Sequence, residues 1–117
     1  MTVLARSALG VGLALALAGA ASAHAKLVAA DPAVGAAAAP TNMAHLTFNE
    51  TISGKLSGAT VTDAAGKTVP ATAMAQDKMM MLTFKSALAP GAYKVKWHAV
   101  ASDDGHRTEG VYSFTVK

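Results

Sequence analysis

The sequence predicts an all-β fold, a Greek-key antiparallel β-sandwich or barrel with a single domain once a leader is removed. Three observations carry that expectation. Short segments alternate apolar and polar side chains with a period of two; Gly, Pro and Asp interrupt them at close intervals; and no stretch sustains a helical period. With 117 residues the chain has room for one small domain, and no internal repeat marks a second.

Residues 1–23 stand apart from this pattern. Arg6 precedes the apolar run "ALGVGLALALAGA" (8–20), and Ala21-Ser22-Ala23 then supplies the Ala-x-Ala signature of signal peptidase. The run is short of the roughly 20 apolar residues that a membrane span requires. A signal peptide over residues 1–23, cut between Ala23 and His24, is therefore expected, with a cut after Ala25 or an uncleaved anchor as the competing readings. The domain is then residues 24–117.

Its elements follow in order. "AKLVAADP" (25–32) reads as a short first strand stopped by Asp31-Pro32. In "AVGAAAAPTNM" (33–43) Gly35 and Pro40 outweigh the alanines and predict a loop. "HLTFNE" (45–50) turns Leu46 and Phe48 to one face. "GATVTDAAGKTV" (58–69) gives a strand, a turn at Ala64-Ala65-Gly66 and a short return. "MMMLTF" (79–84) sends Met80, Leu82 and Phe84 one way, with Met79 and Met81 opposite. Pro90-Gly91 makes a corner before the clearest strand, "GAYKVKWHAV", whose Tyr93, Val95, Trp97 and Ala99 alternate with Lys94, Lys96 and His98. "GVYSFTV" (110–116) closes the domain with Tyr112, Phe114 and Val116 inward.

Composition excludes several function classes. The formal net charge is +3, of which Arg6 contributes one, and the basic residues form no cluster, so nucleic acid is not an expected partner. There is no cysteine, although small exported domains often rely on disulfides. The core must hold by packing, and thiolate metal chemistry is absent.

What remains is a set of nitrogen and oxygen donors. A processed His24 offers its α-amine and its Nδ1, which can grip one metal in a chelate ring. Asp104 and His106 flank Gly105 in "SDDGHRTEG" (102–110), so a carboxylate and an imidazole converge from one loop. Asp103 is the alternative carboxylate. Three nitrogens and one oxygen suit the tetragonal geometry of Cu(II). His45 and His98 fall on the polar sides of their strands and are set aside.

The start "HAKLVAADPAVG", the strand "LTFNE", the corner "PGAYKVKW", "DGH" and the ending "YSFTVK" together resemble the CopC family of periplasmic copper-resistance proteins, over essentially all of residues 24–117. The resemblance implies a cupredoxin-like or immunoglobulin-like Greek-key fold and one Cu(II) ion held by His24, Asp104 and His106. It implies Glu50 as a supporting acid beside the site rather than a ligand. Some relatives carry a methionine- and histidine-rich Cu(I) site. In the corresponding region this chain has Met74, Met79 and Met81 with no histidine among them, so these are weaker Cu(I) candidates and a second site is not the primary expectation. Arg107 stands where many relatives have Pro, which removes no donor.

The function expected is a periplasmic, monomeric Cu(II)-binding protein of copper resistance and homeostasis, not an enzyme. A CopD-like inner-membrane copper transporter is the expected protein partner, and the mature chain has no membrane span of its own. Two rivals differ in class. An N-terminal histidine and a second histidine on copper also characterise lytic polysaccharide monooxygenases, but Asp104 would occupy the oxygen position and the chain lacks an aromatic stacking surface. A structural sandwich domain docked to a membrane transporter would need no metal.

Overall fold

The alternating segments become strands, and with two that alternation does not mark the strands number nine. The computed structural model describes residues 24–117, and the expected signal peptide lies outside the described residues. In chain order the strands are β1 (Leu27–Asp31), β2 (Ala37–Ala38), β3 (Met43–Phe48), β4 (Gly58–Asp63), β5 (Thr68–Val69), β6 (Ala71–Gln76), β7 (Met79–Phe84), β8 (Gly91–Val100) and β9 (Arg107–Val116). They form two sheets, ordered β1-β3-β7-β6 and β2-β9-β8-β4-β5. The chain changes sheet on either side of β2, between β3 and β4, at Pro70 between β5 and β6, and again between β7 and β8. Among the described residues no helix is long and apolar enough to cross a membrane.

Two details correct the sequence-based expectation. The segment 33–43 is not wholly loop, because Ala37–Ala38 pairs with Thr115 and Val116, and it does so in parallel, so the sandwich is antiparallel except at this edge. Ala71–Gln76 is a strand that alternation does not reveal. Four of its six residues are alanine or threonine, so its two faces carry little contrast. It forms because the free edge of β7 needs a partner for its backbone groups. Asp77 and Lys78 close that hairpin, and Asp77 takes the positive φ (55°) that a tight two-residue turn demands.

Inward residues of both sheets interleave between them. Leu46, Phe48, Met80 and Leu82 come from one sheet, and Val61, Val95 and Phe114 from the other; all are fully buried, and no charged residue joins them. Phe48 and Trp97 meet edge to face across the sandwich, with ring centroids 5.1 Å apart at 71°, an arrangement worth about 0.5–1.5 kcal/mol beyond the area it buries. Trp97 lies flat against β9 because its register partner is Gly110. A Cβ there would stand 2.6 Å from Trp97 Cζ2.

Gly110→Ala should therefore push Trp97 off its seat and destabilise the domain by about 1–3 kcal/mol, the usual range for overpacking. Thermal denaturation checks this, with a loss of roughly 4–8 °C per kcal/mol for a domain of this size. A second expectation concerns Tyr112, whose buried hydroxyl has no hydrogen-bond partner among the described residues. Burial, and then the nearby charge of Asp31, push its pKa up from 10.0 to about 12. The unfolded chain thus loses this proton first, and stability should fall as pH rises from 10 to about 12. Tyr112→Phe should flatten that alkaline slope in chemical denaturation.

Candidate metal centre

The start of the described chain is fastened on both sides before β1 begins. Asn49, just past the end of β3, accepts the Lys26 N–H through Oδ1 at 2.7 Å and donates its own N–H to the Lys26 carbonyl at 3.0 Å. Its Nδ2 also donates to the His24 carbonyl at 3.4 Å. From the opposite sheet, Thr108 of β9 donates its hydroxyl to the Ala25 carbonyl at 2.8 Å. Ala25 is 1% exposed, so its methyl joins the core while these bonds hold the neighbouring backbone.

The other half of the site is the loop between β8 and β9. Ala101 N–H donates to the His106 carbonyl at 2.9 Å and Gly105 N–H to the Ala101 carbonyl at 3.0 Å, closing the loop on itself. Gly105 takes φ +71°, a left-handed conformation that glycine adopts without steric cost. Asp104 Oδ1 accepts the His106 N–H at 3.0 Å. Ser102 N–H donates to the Thr51 carbonyl at 3.0 Å, tying the loop to the segment after β3.

These two constructions bring His24 and His106 together, with ring centroids 4.3 Å apart at 75°. Asp104 Oδ2 lies 4.0 Å from His106 Nδ1, a proximity too long for a hydrogen bond. The carboxylate and imidazole are about half exposed, at 45% and 56%. Solvent, and a hydrated ion, can reach both. Among the described residues no three His, Asp or Glu side chains close on one point as they stand. Asp104 spends one carboxylate oxygen, Oδ1, on its own loop and keeps Oδ2 free.

Glu50 sits between Asn49, which holds the chain start, and Thr51, which holds the 101–106 loop. Its backbone is thus beside the site, and it makes no hydrogen bond or ion pair among the described residues. Arg107 opens β9 and pairs with Glu109 at 3.2 Å, an exposed contact that leaves the histidines free. His98 stands on β8 in register with Gly58 and Glu109. Trp97 borders a shallow groove with His24, Lys26 and Thr108. Asn49 and Thr108 escape a reading of the sequence alone, although the order Asn49-Glu50 at the end of an alternating strand marks where they act.

A family model for the CopC domain matches residues 27–117. The chain belongs to the CopC family. The protein YobA of Escherichia coli is 42% identical over 101 residues, covering 81% of this chain and 80% of that protein. Copper resistance protein C of Pseudomonas syringae pv. tomato is 36% identical, with 83% of each chain covered. Among solved structures, PcoC, a methionine-rich copper resistance protein from Escherichia coli, aligns with a TM-score of 0.74 at 34% identity, covering 81% of this chain and all of that one. Membership in the CopC family gives the chain a copper-related function and sets it among copper-resistance proteins rather than enzymes.

The fastening by Asn49 is open to a direct check. Asn49→Ala should speed hydrogen exchange at the Lys26 amide by about fivefold, the effect of losing one hydrogen bond worth near 1 kcal/mol. Amides in the middle of β8 should keep their protection.

Proposed function

We propose that the chain, processed to begin at His24, is a monomeric periplasmic protein that binds one Cu(II) ion and sequesters it or hands it on in copper resistance. The His24 amine and imidazole would serve as a bidentate clamp, with the His106 imidazole and the Asp104 carboxylate completing four donors. Glu50 would act from outside the ligand set, as an acceptor that orients a bound imidazole. The observation that carries this reading is the approach of His24 to His106, with Asp104 two residues away on the same closed loop. The CopC membership supports the metal, and the donor types support its divalent state. The mechanism is coordination without turnover, and a CopD-like inner-membrane transporter is the protein partner that such a carrier would serve.

The ordered backbone would lower the cost of closing the clamp. Bonds from Asn49 and Thr108 order the chain start before metal arrives, so little conformational entropy is left to lose on binding. The half-exposed Asp104 and His106 need only turn their side chains to meet it.

The intact mass of the exported protein with and without Cu(II) tests the start and the stoichiometry together. A first residue of His24 and one copper per chain are expected; any other start would defeat the four-donor set. His24→Ala and His106→Ala should each weaken Cu(II) at least about 100-fold, the upper end of the loss that outer-shell partners already cause. The single Trp97 offers a readout, because Cu(II) bound at His24 should quench its fluorescence. Copper competes with protons for amine and imidazole nitrogens, which in model compounds titrate near 7.7–8.0 and about 6.5. Affinity should accordingly fall between about pH 7 and pH 5, and a flat profile would refute nitrogen ligation.

A further inference from the structure

The chain has six methionines and no cysteine, and past Met1 its sulfurs divide by position. Met80 of β7 points into the sandwich and is fully buried. Its neighbours Met79 and Met81 turn outward, and Met74 of β6 stands directly opposite Met81 in register. Met74 is 66% and Met79 46% exposed. With Met81 they border one groove on the outer face of the four-stranded sheet, beside Thr47 and Gln76. Met43 of β3 is half-buried opposite Thr83.

Packing does not account for the outward side chains, because threonine or valine suits an exposed strand position better than an unbranched thioether. What methionine adds there is chemical. Its polarizable sulfur carries lone pairs that attack electrophilic oxygen, and the reaction needs the oxidant to reach the sulfur. The oxidisable aromatic side chains are withdrawn from solvent, Trp97, Tyr93 and Tyr112 all being buried. An oxidant arriving from water therefore meets Met74 and Met79 before it meets these rings or Met80. The product is polar. On the outer face its new oxygen projects into water, whereas at Met80 it would be an unsatisfied dipole inside the apolar core.

We infer that this sheet face is a site of reversible oxidative modification, with Met74 and Met79 as oxygen acceptors for oxidants of the peroxide class. A sulfur lone pair attacks one oxygen of hydrogen peroxide, so an S–O bond forms as the O–O bond breaks. The departing hydroxide takes the proton of the transferred oxygen and leaves as water. The thioether is thereby oxidised to a sulfoxide by two electrons and the peroxide is reduced. Met81, flanked in register by Met74 and His45, reacts after the two more exposed residues. Neither Met74 nor Met79 belongs to the core, so the fold survives the change. A methionine sulfoxide reductase can then restore both, two thiols supplying the electrons and the oxygen leaving as water. The modification requires neither His24 nor a bound metal.

The test treats the processed protein, kept metal-free by a chelator, with excess hydrogen peroxide and follows intact mass and oxidised peptides over time. Met74 and Met79 should each gain one oxygen first. Met80 should react at least about a hundredfold more slowly, because its sulfur is reached only when the core opens. The melting temperature should be unchanged with both oxygens in place, and methionine sulfoxide reductases A and B together should return the original mass. Combining Met74→Leu with Met79→Leu should abolish the fast phase, while His106→Ala should retain it; melting temperatures confirm that both variants fold. The inference is overturned if Met43 or Met80 takes the first oxygen, or if oxidation of Met74 and Met79 lowers the melting temperature. It is equally overturned if the folded double variant keeps the fast phase or if the reductases leave the added mass in place.

Discussion

The candidate metal centre depends on the clasp around Ala25. Its carbonyl accepts the Thr108 hydroxyl of the five-stranded sheet, while the adjoining Lys26 backbone is held at both its N–H and its C=O by Asn49, from the end of β3 in the other sheet. A chain terminus is ordinarily the least ordered part of a domain. Residues 24–26, ahead of the first strand, are nevertheless tethered to both layers of the sandwich. That tether delivers His24 to His106, and without it the two rings would share no fixed distance.

Beneath the clasp the two sheets are locked by Phe48 against Trp97, and Trp97 is in turn admitted by the missing side chain at Gly110. Thr108 is two residues from Gly110 on the same strand. The geometry of the core is thereby transmitted to the metal centre through one stretch of β9. The opposite requirement applies to the 101–106 loop, which is closed by its own backbone bonds and presents Asp104 and His106 to solvent. A rigid clamp and an accessible pair of side chains together form a site that an ion can enter from water.

Much of this was legible in the residues. Tyr93, Val95, Trp97 and Ala99 announce β8 because they differ sharply from the lysines between them, and all four are buried. His24, Asp104 and His106 are candidates by donor chemistry and by resemblance to the CopC family, and the fold brings the His24 and His106 rings within 4.3 Å of each other. The strand Ala71–Gln76 could not be picked out, because alanine is nearly neutral as to face. Nor could the roles of Asn49 and Thr108, which depend on contacts 23 and 83 residues distant along the chain. Spacing within one strand reports which residues share a face, but only the register between strands says which of them meet.

The interior lined by Leu46, Phe48, Val61, Leu82, Val95 and Phe114 holds no ionised group and lies apart from the donor atoms. Small metalloproteins such as zinc fingers draw their folding energy from the ion and collapse when it is stripped away. Here the core is apolar and made by packing between the two sheets, so no ion is part of it. Loss of an ion from the candidate centre would then leave the sandwich itself standing.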